Sequence, residues 1–210
     1  MANATGLLFQ CLFGFKCKDF TMIAADQMNT QSVLVMNDDV DKLYEVSDRL
    51  VLGVNGDAGD MSQFTQFIAK NLQLYKMKNQ YQLDTPAVVH FIRKNLSDGL
   101  RSGNPNILNL MIGGYDEQTG GQLYMMDFLG SCVSVPYAAH GLGGLLTFGI
   151  MDYYYKPDLT EVQAYEVLKM CIREIQLRLF MNLPNFRVKS VSKIGVKILP
   201  NINSTMLTQK

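Results

Sequence analysis

The sequence predicts an α+β domain built from segregated runs of strands and helices, and three observations carry that reading. Residues 12–54 hold short apolar runs parted by polar breaks; from Asp57 the apolar spacing changes to three and four; strand character and then helical character return in the same order further on. Segregated runs favour an α+β domain over alternating βαβ units. The preferred packing is a four-layer αββα sandwich, helices outside and two sheets inside. Composition alone leaves a two-layer fold open.

In the N-terminal third, residues 12–17 and 21–25 read as strands around Lys18-Asp19-Phe20, a break short enough for a hairpin. Residues 43–46 and 50–54, parted by Ser47-Asp48-Arg49, continue what reads as an antiparallel meander. A helix follows, because Phe64, Phe67, Ile68, Leu72 and Tyr75 recur at helical spacing and Asp57 or Asp60 can accept from unpaired N–H groups at its start. A second opens at Asp84-Thr85-Pro86 and carries Val88, Val89, Ile92, Leu96 and Leu100 along one side. Strands return at 107–112, 122–129 and 131–139, with Gly113-Gly114 and Thr119-Gly120-Gly121 as breaks. Glycine-rich residues 141–144 lead into 145–152. The last long helix starts at the capping box Thr160-Glu161-Val162-Gln163 and runs to about residue 181, with Val162, Leu168, Ile172, Ile175 and Leu179 on its buried side. Pro184 stops it, and 186–191 and 195–199 form a final strand pair before a polar tail from Asn201, expected to be mobile. The expected organisation is an N-terminal extension 1–11, one domain 12–200 and a C-terminal tail 201–210.

With 210 residues, 48% hydrophobic and 18% charged, the chain can bury a sizeable core without a disulfide or metal staple. Lysine plus arginine equals aspartate plus glutamate at 19 each, which removes the simplest argument for a nucleic-acid or anionic-membrane partner. Cys11, Cys17, Cys132 and Cys171 are widely spaced and read as reduced, buried, small apolar residues. No lysine or arginine precedes the apolar residues 6–15, which argues against a secretory signal. The apolar run 133–151 carries Pro136, His140 and four glycines, and reads as strand, turn and buried helix, not as a membrane span.

Several stretches, in order, carry a family resemblance. They begin with Phe13-Gly14-Phe15-Lys16, Met22-Ile23-Ala24-Ala25-Asp26, Lys42 and Gly53-Val54-Asn55-Gly56-Asp57-Ala58-Gly59-Asp60. They continue through Asn71-Leu72-Gln73-Leu74-Tyr75-Lys76-Met77-Lys78, Arg93-Lys94-Asn95-Leu96, Gly113-Gly114-Tyr115-Asp116 and Tyr124-Met125-Met126-Asp127, to Ala138-Ala139-His140-Gly141 and Asn182-Leu183-Pro184. Together they resemble a proteasome beta-type subunit over most of the chain, and look most like the non-catalytic type-2 subunit at the fourth position of the beta ring. The resemblance implies the N-terminal nucleophile hydrolase sandwich and a place in the 20S core particle, whose chamber serves ubiquitin-dependent protein degradation. It implies neighbours at the third and fifth beta positions, the facing beta ring and the alpha ring, a cytoplasmic and nuclear location, and neither cofactor nor metal.

In active members of that family a threonine freed by propeptide removal is the nucleophile, a buried lysine favours its charged form and an aspartate orients the lysine. Carried over by position, Asp26 matches the aspartate and Lys42 the lysine. Gln10 stands where the threonine belongs, Leu142 replaces a serine in the glycine turn, and residues 179–182 offer neither the aspartate nor the serine expected after the last helix. An amide is no nucleophile, and an internal residue has no free α-amine. The chain is therefore expected to be non-catalytic, with Asp26 and Lys42 a vestigial buried ion pair. The alternative is a threonine peptidase with Thr5 exposed by removal of four residues. Thr5 lies five residues upstream, about 16 Å along a strand, whereas proton transfer needs heavy atoms about 3 Å apart.

The remaining motifs have plain readings. His90 and His140 show no ligand spacing for zinc, and His140 is expected to bond the backbone of its own turn. Gly141-Leu142-Gly143-Gly144 lacks the Gly-Lys-Ser/Thr of a phosphate loop and suits a tight strand-to-helix crossing. Tyr153-Tyr154-Tyr155 fits either a subunit contact or closure of the core.

Overall fold

The computed structural model describes residues 9–31 and 34–203. One sheet has the strand order β10-β1-β2-β11-β12, from β1 (Leu12–Lys16), β2 (Phe20–Asp26), β10 (Tyr137–His140), β11 (Asn185–Ser192) and β12 (Gly195–Asn203). The other has the order β5-β6-β7-β8-β9, from β5 (Leu43–Ser47), β6 (Leu50–Gly56), β7 (Leu108–Asp116), β8 (Gly120–Met126) and β9 (Cys132–Ser134). Every paired neighbour is antiparallel. Helices α1 (Ala58–Asn79) and α2 (Thr85–Arg101) cover the second sheet, while α3 (Gly141–Tyr154) and α4 (Glu161–Arg178) cover the first. A short ribbon, β3 (Asn29–Gln31) with β4 (Leu34–Asn37), stands apart.

Three apolar layers hold this four-layer αββα sandwich together. Phe13, Met22 and Ala24 face α4 with Leu168, Ile172 and Ile175; Leu50, Leu52 and Val54 face α1 and α2 with Ile68 and Ile92; Leu12, Ile23, Ala25 and Val51 meet between the sheets. Successive residues of β2 and β6 thus point into different layers, and both strands are buried at every position. That double burial is why they read as continuous apolar runs and not as alternating ones. A second buried lysine, which sequence reasoning missed, ties the sheets: Lys189 of β11 donates to the Leu43 carbonyl at 2.6 Å and pairs with Asp41 and Glu45, each at 3.1 Å.

Helix starts follow their capping signals. Asp57 accepts from the Gly59 N–H, Asp84 from Ala87, and Thr160 forms the full capping box with Gln163. Other expectations are corrected. The four N-terminal strands are not one meander, because β1–β2 and β5–β6 belong to opposite sheets. The stretch 131–139 is two strands in different sheets, parted at Val135-Pro136. Gly113 and Gly114 lie inside β7: a Cβ on Gly113 would stand 2.7 Å from the Ile23 side chain, and one on Gly114 2.2 Å from Thr85 Oγ1, so these glycines serve close approach, not a break. Phe67 is exposed and stacks on Phe91, and Tyr75 is only half-buried. Leu100 and Leu179 are also only half-buried. Val162 is 74% exposed because it lies two residues before Ala164, off the face that Ala164, Leu168 and Ile172 share. α4 ends at Arg178, earlier than expected, and α3 begins at Gly141 itself.

At the ends, Gln10 and Cys11 are buried and β12 runs on to Asn203, so 201–203 are strand and not tail. The tyrosine cluster divides: Tyr153 and Tyr154 are exposed, whereas Tyr155 donates to the Lys16 carbonyl at 2.9 Å and packs edge-on against Tyr137. Among the described residues no helix is long and apolar enough to cross a membrane.

Candidate functional site

The ends of β2 and β6, the starts of β1 and β5, and the β10–α3 junction converge at one end of the sandwich. Asp26 closes β2 and is fully enclosed by its neighbours. Its Oδ1 accepts the Cys11 N–H at 2.7 Å; its Oδ2 accepts the Met28 N–H at 3.0 Å and Lys42 Nζ at 2.7 Å. Lys42, just ahead of β5, also donates to the Met28 carbonyl at 2.7 Å, and neither member of the pair is more than 1% exposed. Three donors on the carboxylate and two acceptors on the ammonium offset much of the cost of removing both charges from water.

Gln10 lies beside this pair, next to Cys11 in the chain, and is 4% exposed. Its Nε2 donates to the Gly56 carbonyl at 2.9 Å and its Oε1 accepts the Gly56 N–H at 2.8 Å. The side-chain amide thus behaves as one more peptide group paired to the end of β6. The other sequence-identified positions are close by. Gly141 turns the chain from β10 into α3 with φ +82°, and a Cβ on Gly143 would stand 2.1 Å from Cys11 Sγ, so the turn packs directly on the start of β1. Leu142 is half-buried between them in sequence. After α4, Phe180 meets Phe9 edge-on at 5.6 Å, which places 179–182 against the residue just before Gln10. Thr5 lies outside the described residues.

The proteasome subunit family model matches residues 10–191. The chain belongs to the proteasome beta-subunit family. It is 35% identical to the proteasome subunit beta type-4 of Saccharomyces cerevisiae, covering 89% of this chain and 94% of the relative. It is 37% identical to the beta type-2 subunit of Oryza sativa, covering 90% and 88%, and 36% identical to that of Dictyostelium discoideum, covering 91% and 97%.

Within this beta-subunit frame, sequence reasoning missed two participants. Gly56 is one, since only the fold shows that its peptide group meets Gln10. Cys11 is the other, a thiol beside a carboxylate–ammonium pair. Burial first, and then the Asp26 carboxylate, push its pKa far above the usual thiol range, although Lys42 and the Gly143 and Gly144 amides pull the other way. A thiol so placed stays protonated and unreactive. Burial likewise pushes Cys17 and Cys171 up to about 12. Cys132 is only half-buried, unlike the other three.

Contrary to expectation, His140 does not bond its own turn but reaches across the sheets: Nε2 donates to the Leu110 carbonyl of β7 at 3.1 Å. Burial lowers its pKa, and the Leu110 bond only partly opposes that. The unfolded chain therefore takes up a proton that the folded chain refuses, so stability should fall as pH drops below about 6.5, the ordinary imidazole value. Urea midpoints of the wild type and His140→Gln between pH 7.5 and 5 check this: the variant should show a shallower decline. His90 is exposed, and among the described residues no three His, Cys, Asp or Glu side chains gather as a metal site would require.

Proposed function

We propose that this chain is a non-catalytic beta subunit that builds the wall of the 20S core particle, at the fourth position of the beta ring. The observation that carries the reading is the Gln10 amide, paired at both ends with Gly56 where a nucleophile would be required. Acyl transfer needs a nucleophile and free N–H donors for the developing oxyanion. Here the Gly56 N–H is already occupied, the Cys11 thiol is held protonated, and Asp26 and Lys42 satisfy each other. The neighbours in this reading are the third and fifth beta subunits, the alpha ring and the facing beta ring, in the cytoplasm and nucleus.

The experiment is N-terminal sequencing and intact mass of the chain from assembled particles, with peptidase assays on particles carrying Thr5→Ala. No N-terminus at Thr5 and unchanged peptidase activities are expected. A mature N-terminus at Thr5, together with loss of one activity in the variant, would replace this reading with the threonine-peptidase one.

A further inference from the structure

The β3–β4 ribbon pairs with neither large sheet among the described residues, and Leu34, Val35 and Met36 of β4 are 67%, 55% and 64% exposed. A two-stranded ribbon is at best marginally stable in water by itself. What sets its direction therefore lies at its root, and both legs of that root end on two consecutive residues, Asp26 and Gln27. On the outgoing leg, Met28 gives its N–H to Asp26 Oδ2 at 3.0 Å and its carbonyl receives Lys42 Nζ at 2.7 Å. On the returning leg, Gln27 Nε2 donates to Asp39 Oδ1 at 2.8 Å and the Val40 N–H donates to the Gln27 carbonyl at 2.9 Å. Gln27 is secured in turn by its N–H to the Asn185 carbonyl at 3.2 Å and by Asn201 Nδ2, which donates to its Oε1 at 3.2 Å.

We propose that the Asp26–Lys42 pair is the lock of this arm, holding the β3–β4 ribbon at a fixed angle to the sandwich. The task is separate from any chemistry, and it stands whether or not the chain is catalytic. The sheets themselves do not need the charges. β2 is laddered to β1 on one side and β11 on the other, and Lys42 is fixed to β6 through its backbone carbonyl, which accepts the Val54 N–H at 3.0 Å. Loss of the pair removes both side-chain ties on Met28 and leaves those ladders in place. The arm's root is released and the exposed strand loses its aim.

The test is hydrogen exchange on the full chain, comparing wild type with the double variant Asp26→Leu/Lys42→Met, which leaves Met28 neither an acceptor nor a donor at these positions. Amides of residues 28–31 and 34–37 should exchange ~10-fold faster or more, while those of β2, β6 and β7 stay within ~2-fold. Acceleration spread evenly through the sheets, or an unchanged arm, would overturn the proposal. If the double variant does not fold, the wild type decides it through native-state exchange in sub-denaturing urea. The Met28 amide, bonded to Asp26, should open together with the arm and before global unfolding. A Met28 amide that opens only with the whole domain, beside freely exchanging arm amides, sinks the idea.

Discussion

Lys42→Met should lower the unfolding free energy by about 3–5 kcal/mol, because it leaves the Asp26 carboxylate enclosed without its counter-charge. The methionine fills much of the lysine volume, so little of the loss comes from packing. Asp26 keeps the N–H groups of Cys11 and Met28, which soften the penalty without cancelling a buried charge. Adding Asp26→Asn should return most of the lost stability, since an amide costs far less to bury than an unpaired carboxylate. Urea unfolding of the single and double variants reads this directly. If the single variant loses no more than the double, the pair carries little strain of desolvation and the account of the site is wrong.

Phe186→Ala should cost about 3–5 kcal/mol by a different route, the transfer of a large ring plus the cavity it leaves. Phe186 is fully buried in β11, opposite Asp26 of β2 and Ile202 of β12, and its ring meets Phe13 edge-on at 6.1 Å. It lies where the first sheet is held together by its latest strands. The denaturant midpoint should fall with little change in slope, because the surface exposed on unfolding is nearly the same. A shallower slope would mean that β11 and β12 had detached from a still folded remainder.

The sequence revealed the helices better than the strands, for a physical reason. Helix starts are written locally, as Asp57, Asp84 and Thr160 show, each capping where its side chain predicts. Strand partnership is not local: nothing in residues 12–54 says that β1–β2 and β5–β6 pair into opposite sheets. Gly113-Gly114 misled because a glycine pair is written the same way whether it breaks a strand or lets Ile23 and Thr85 approach one. The β3–β4 ribbon escaped notice because its strands are three and four residues long and β4 buries nothing. At the site, Gln10, Asp26, Lys42 and Leu142 were legible through the family resemblance alone. The grip of Gln10 on Gly56, the place of Cys11 and the cross-sheet reach of His140 depend on contacts 46, 15 and 30 residues apart in the chain. Lys189, an ordinary strand lysine in sequence, gave no sign that it would be enclosed between two carboxylates.

The two sheets also differ in when they can exist. The second is drawn from one continuous stretch, from Leu43 to Ser134, whereas the first needs β1 and β2 from the beginning of the chain and β11 and β12 from its end. During synthesis, which proceeds from the N-terminus at about 5–20 residues per second, the second sheet with α1 and α2 can close early. β2 meanwhile waits, one flank open and most of its side chains apolar, until Asn185–Ser192 has been made. An open apolar strand held for that interval is a template for wrong pairing. The open flank of β2 therefore needs shielding until β11 has been made.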